Sequence, residues 1–224
     1  MRHGYLLSIL LLVAASAQAG VVINGTRLVY QGDKKESSLG LSNPDTTDYL
    51  VQSWVDSGGK NQAKAPFLIT PPLFRLDAKE DNVLRVVRTG GNLPEDRESL
   101  YWLNIKAIPS SKHVEGVNTL QIAINTRIKL LYRPSAVKGR PEDVADKLEW
   151  HREGNDLVVN NPTPFYMNFQ TLTLNGQKVK KATWAVPKTE THFALPGNVG
   201  GSTVAYSIIT DYGSISQTWS KPVH

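Results

Sequence analysis

Between residues 21 and 132 the chain alternates between short apolar or every-second-residue apolar runs and clusters of turn formers. Residues 21–30, 49–55, 67–70, 83–87, 101–108 and 120–132 read as strands. Side chains on a strand point alternately to its two faces, so burying one face leaves a period of two in the sequence. Gly32-Asp33, Asn43-Pro44-Asp45, Ser57-Gly58-Gly59, Pro71-Pro72 and Gly90-Gly91-Asn92 divide these runs with residues that favour turns. No long stretch repeats at the helical period. Short strands at this spacing predict an all-β sandwich.

The pattern breaks at residues 134–141, PSAVKGRP. Two prolines and a glycine there cannot continue a strand, and they place an elbow between two domains. Pro141, Glu142 and Asp143 suit a single helical turn, with proline at its first position and acids in its first turn. Strand patterning resumes at residues 147–151, 156–160, 165–174, 191–194, 203–211 and 216–219. Asn175-Gly176, between an alternating run and a lysine-rich one, signals a tight hairpin. The expected organisation is a first β-sandwich over residues 20–138, containing the long run at 120–132, and a second over 139–224.

Residues 1–19 fit neither domain. Arg2 and His3 precede an apolar run at residues 5–15, and Ala17-Gln18-Ala19 supplies small residues where a signal peptidase reads. This is the order of a secretory signal peptide cleaved before Gly20, and the mature chain is expected to be exported. The run is shorter than the roughly 18–20 residues a bilayer span needs, so no stable membrane insertion is expected.

Composition narrows the chemistry. A hydrophobic fraction of 40% suffices for real cores, and with no cysteine the fold must be held by packing alone. Thiol catalysis and cysteine metal sites are excluded. The formal charge of +5 comes from scattered residues with no dense basic tract, which argues against a nucleic-acid partner. His3, His113, His151, His192 and His224 show no metal-ligand spacing. There is no G-x-S-x-G elbow. Ser57-Gly58-Gly59-Lys60 lacks the remaining residues of a phosphate loop, and the glycines of residues 197–201 are not spaced for a dinucleotide. Asn24-Gly25-Thr26 is a chance-level glycosylation tripeptide. No catalytic residue, metal or cofactor is assigned, and an enzyme is not expected.

The run at 118–134, NTLQIAINTRIKLLYRP, is unusual. Leu120, Ile122 and Ile124 share one face, and the pattern continues through Ile128, Leu130 and Tyr132. Such a run exceeds twice the mean strand length of about five to six residues. One reading is a long central strand filling its own core. The other is a strand serving two environments, since its second half carries Arg127, Lys129 and Arg133.

Residues 93–110, LPEDRESLYWLNIKAIPS, closely resemble the signature of the periplasmic pilus (fimbrial) chaperones. Further matches follow in order: Thr26-Arg27, Thr70-Pro71-Pro72, residues 127–134 (RIKLLYRP), residues 161–166 (NPTPFY) and Asp211-Tyr212-Gly213. The resemblance spans the whole of residues 20–224 and is strongest to the type 1 fimbrial branch, with a short connection between Ile108 and Leu120. It implies a boomerang of two immunoglobulin-like β-sandwich domains in the periplasm. Such a protein binds pilus subunits by donor-strand complementation, without ATP or metal, and passes them to an outer-membrane usher. On this resemblance Leu120, Ile122 and Ile124 enter the subunit's groove. Arg27 and Lys129 hold the subunit's C-terminal carboxylate. Glu98, Arg133 and Asp211 form an ion network between the domains.

Lys129 is five residues beyond Ile124, so in a regular strand it faces the other way. Either a bulge or strong twist intervenes, or the carboxylate sits at the cleft, out of line with the groove. The alternative function is a structural pilin or adhesin, although a pilin would be one domain, often with a cysteine pair. Self-association of the free protein to cover residues 120–124 is left open.

Overall fold

The structure, a computed structural model, describes residues 20–59, 65–111, 120–195 and 200–224. Residues 1–19, expected to be a signal peptide, and His113 lie outside them. Among the described residues no helix is long and apolar enough to cross a membrane, and no three metal-ligating side chains cluster.

The first domain packs two sheets face to face. One is four-stranded, in the order β1 (Val22–Ile23), β3 (Glu36–Ser42), β7 (Asp81–Arg88), β5 (Phe67–Thr70). The other is five-stranded, in the order β2 (Arg27–Gln31), β9 (Ile124–Arg133), β8 (Ser99–Pro109), β4 (Tyr49–Asp56), β6 (Leu73–Leu76). Leu39, Leu41, Leu84 and Val86 of the first sheet meet Val51, Leu103 and Leu130 of the second in one buried cluster.

The N-terminal run changes sheets partway. Val22 and Ile23 pair antiparallel with β3, whereas residues 27–31 pair parallel with residues 129–133 of β9. The single strand expected over 21–30 is therefore two. Within β9, Ile128, Leu130 and Tyr132 are buried in the core, so its even-numbered side chains face inward.

Three further differences from the sequence pattern concern β3, β6 and β9. β3, sequence ESSLGLS, was not anticipated, because only Leu39 and Leu41 on it are core residues and its other positions are serine, glycine and glutamate. β6 was missed behind the Pro71-Pro72 turn signal. The long run begins at Ile124, not Leu120: the last paired rung is Ala107 with Ile124, and β8 ends two residues later at Pro109, which has no N–H to donate.

β9 ends at Arg133, and two short 3-10 turns follow, Pro141–Asp143 and Ala145–Lys147. The second domain has one sheet of β10 (Glu149–Glu153), β11 (Asp156–Asn161) and β15 (Thr189–Ala194). Its other sheet runs β13 (Gln177–Lys178), β12 (Met167–Leu174), β16 (Thr203–Ile208), β17 (Trp219–Pro222), with β14 (Trp184–Ala185) also paired to β12. Trp150, Phe165, Met167, Phe169, Phe193 and Tyr206 fill the space between. The Asn175-Gly176 turn has both residues at positive φ, +46° and +79°, as the tightest hairpin connection between twisted strands requires.

Candidate functional site: the cleft face of β9

β9 carries the candidate site on both faces. Its pairing with β8 runs from Ser99–Tyr132 to Ala107–Ile124 without a register shift. No bulge separates Ile124 from Lys129, so strict alternation places them on opposite faces. The odd-numbered face, with Arg127, Lys129 and Arg133, looks out of the first core and toward the second domain.

Arg133 is the pivot between domains. Its Nε donates to Glu98 Oε1 at 2.8 Å, and Nη1 and Nη2 donate to the two Asp211 oxygens at 2.7 and 2.8 Å. Glu98 Oε2 accepts the Tyr166 amide at 2.8 Å, and the guanidinium lies 4.9 Å from the Phe165 ring centre. The Arg133 and Glu98 side chains are 3% and 1% exposed. Burial pushes the Glu98 carboxyl up, against the opposing pull of Arg133. A planar fork of donors matched to two carboxylates is what makes burying these charges tolerable. The structure thus brings Glu98, Arg133 and Asp211 together from three distant stretches of chain.

Gly213, two residues beyond Asp211, has φ +82°, and a Cβ there would lie 2.8 Å from Thr26 Oγ1. Only glycine allows the second domain to approach the first domain so closely at this point. Next to that contact lies Arg27, opposite Lys129 in the β2–β9 register.

Arg27 and Lys129 are half-buried and neither has an ion-pair partner among the described residues. Arg27 Nη1 donates to the Ile209 carbonyl at 3.1 Å, while its buried Nε finds no acceptor. Burial pulls the Arg27 pKa down, opposed by Asp211 and Glu98. Lys129 donates to Asn168 Oδ1 and sits 4.2 Å from the centre of the Trp184 ring. Burial, reinforced by Arg27, lowers the Lys129 pKa to about 8. Together the two cations line a cavity of about 380 Å³ with Thr26, Trp102, Gln170 and Gly213. Two donors of like charge, held by neutral acceptors, suit a carboxylate.

Trp102 forms the wall of the cavity. Arg127 stacks over it at 4.5 Å and donates to Asp56 Oδ1 at 2.7 Å, and Asn104 donates to Asp56 Oδ2 at 2.6 Å. Trp102 and Trp184 meet edge to face at 6.1 Å across the domain boundary.

On the other face of β9, Ile122 and Ile124 border an apolar crevice of about 390 Å³ with Val21, Ile23, Ile105 and Ala107. Leu120, Ile122 and Ile124 are 88%, 65% and 55% exposed. Leu120 and Ile122 precede the strand itself, so their aliphatic chains stand in solvent with no ladder beside them.

Asn168 and Trp184 are not singled out by the sequence, and Trp102 and Arg127 stand in the matched runs without a site role. For Trp184 a signal existed: it is an isolated aromatic in the lysine-rich stretch 178–184, where no core position is expected.

Two β-sandwiches in sequence are the architecture of the two-domain PapD-like chaperones. The chain belongs to that family. It matches the PapD N-terminal domain of pili and flagellar-assembly chaperones over residues 20–138, and the PapD C-terminal domain of pili-assembly chaperones over residues 143–220. It is 44% identical over 207 residues to the probable fimbrial chaperone LpfB of Escherichia coli O157:H7, covering 91% of this chain and 89% of the relative. With the chaperone protein FimC of Escherichia coli K12 the identity is 41% over 219 residues, 95% and 88% of the two chains. Among solved structures it is similar to the SafB chaperone of Salmonella enterica in complex with the SafA pilin. That match has a TM-score of 0.83 at 39% identity and covers 93% and 98% of the two chains.

Proposed function

We propose that this protein is a periplasmic chaperone that binds and folds pilus subunits by donor-strand complementation and delivers them to an outer-membrane usher. The observation that carries the reading is the exposure of Leu120, Ile122 and Ile124 at the start of β9, which also presents Lys129 to the cleft beside Arg27 of β2, neither cation having an ion-pair partner among the described residues. The SafB relative was solved with a pilin, and the similar SfaE is described as a periplasmic chaperone. The relatives' descriptions as chaperones favour this function over a pilin or adhesin. Residues 1–19 then act as the export leader, and residues 20–138 and 139–224 are the two domains.

Chaperone–pilin pairs are a known instance of strand addition to a sheet lacking one strand. Main-chain pairing supplies the ladder, and alternate side chains fill the groove. Each inserted aliphatic contributes roughly 1.5–3 kcal/mol relative to exposure, before the entropy of association is subtracted. The subunit's terminal carboxylate, held by Arg27 and Lys129, adds charge-assisted hydrogen bonds worth roughly 1.5–3 kcal/mol each. Its larger effect is to fix alignment, since a slip of one residue turns every inserted side chain away. The free energy of folding the subunit comes from this insertion, so neither nucleotide nor metal is required.

The test is co-expression with a tagged pilus subunit in the periplasm. Arg27→Ala and Lys129→Ala variants should be folded by circular dichroism and thermal melting, yet recover little or no subunit. Folded variants that protect the subunit as well as the parent would remove the carboxylate anchor from the scheme.

A further inference from the structure

The two anchor cations come from the first domain, but what holds each of them belongs to the second. Lys129 reaches Asn168 Oδ1 and the Trp184 ring face, and Arg27 reaches the Ile209 carbonyl. These three residues are one unit. Asn168 and Trp184 are opposite each other on the β12–β14 rung, and the Ile209 amide donates to the Asn168 carbonyl at 2.7 Å. The Asn168 side-chain amide is itself oriented by donating to the Tyr166 carbonyl at 3.3 Å, and Asn168 is buried.

Every group in this cradle is neutral. A carboxylate in place of Asn168 would bind the ammonium more strongly, but it would also occupy and neutralise the cation a ligand needs. A carboxamide oxygen and an aromatic face attract the ammonium through dipole and quadrupole, leaving its net charge available. The charged groups around Lys129 are Arg27 on β2 and Arg127 on its own strand, with Arg127 committed to Asp56 of β4. Glu98 and Asp211 are engaged by Arg133.

We propose that Asn168 and Trp184 are positioning residues for carboxylate recognition, which aim the Lys129 ammonium from across the domain boundary without cancelling its charge. The inference rests on the carboxylate-anchor reading above and deepens it, because it makes selectivity for a free C-terminus a property of the joined domains.

The experiment compares two synthetic peptides of alternating aliphatic sequence, identical except that one ends in a free carboxylate and the other in a carboxamide. Their affinity ratio is measured on the full chain, with the Lys129 side chain followed by NMR titration. Asn168→Asp should raise the Lys129 titration midpoint and shrink the ratio about tenfold, through loss of affinity for the carboxylate peptide alone. Trp184→Leu should shrink the ratio severalfold, and Trp184→Phe, which keeps a ring face, should restore most of it. Trp184 is only half-buried, so its variants test the idea even where Asn168→Asp does not fold. An undiminished ratio in folded Asn168→Asp, or in Trp184→Leu, overturns the positioning role. A parent protein that binds both peptides equally overturns the carboxylate anchor itself, which is a separate result.

Discussion

Arg133 and Asp211 are joined by two hydrogen bonds, Nη1 to Oδ2 at 2.7 Å and Nη2 to Oδ1 at 2.8 Å, between side chains 78 residues apart in sequence. The remaining Nε–H of Arg133 goes to Glu98. Replacing Arg133 by leucine leaves two carboxylates facing each other without the cation that bonds them. The expected loss is about 3–5 kcal/mol of stability, read from urea unfolding. Asp211→Asn keeps a hydrogen-bond acceptor and should cost clearly less. Equal losses for the two variants would mean that charge is not what the pair contributes.

Lys129 makes binding sensitive to pH. Its pKa is about 8 when folded against 10.5 ordinarily, so between these values the unfolded chain holds a proton that the folded chain has released. The free protein should therefore gain stability as pH rises from 8 to 10.5, with no change from this group below 8. Ligand binding goes the other way. A bound carboxylate restores the charge, so association takes up a proton and affinity should fall above about pH 8. Calorimetric titration with a carboxylate-terminated peptide checks this, and Lys129→Arg should flatten the profile. A dependence that survives in the arginine variant would point to another group.

Ile122 and Ile124 separate folding from function. Both are exposed, so Ile122→Ser and Ile124→Ser should change the stability of the free protein by less than about 0.5 kcal/mol. Binding should weaken by roughly 1.5–3 kcal/mol for each. A matching loss of thermal stability in the unbound chain would show that these side chains serve their own domain.

Asp45 ties down the start of the first domain. It accepts the Gly20 amide at 2.7 Å and the Tyr49 hydroxyl at 2.6 Å, and the Tyr49 bond is the main cause that pushes the Tyr49 pKa up to about 12. Asp45→Ala should return Tyr49 toward ordinary titration in ultraviolet absorbance and cost about 1 kcal/mol. An unchanged Tyr49 titration would count against the contact.

Alternation and turn chemistry were enough to place most strands, because burial of one face writes itself into every second residue. They were not enough for β3, whose serines and glycine leave Leu39 and Leu41 as its only core residues. Nor could they show where the long run stops being a strand, since that depends on where β8 runs out of partners. The same alternation put Lys129 opposite Ile124, as the structure has it. What it could not supply was the object on the far side of the cleft. Asn168 and Trp184 act on Lys129 only because two domains meet, and nothing local to either residue marks that.

The unbroken rungs from Ala107–Ile124 to Trp102–Lys129 also make β9 a rigid gauge. Five residues at about 3.3 Å each fix a span of roughly 17 Å between the last inserted side chain and the carboxylate socket. On the proposed reading, a partner's tail satisfies both ends only if its own final segment is commensurate with that length, so chains nicked or extended at the C-terminus would be turned away by measurement alone.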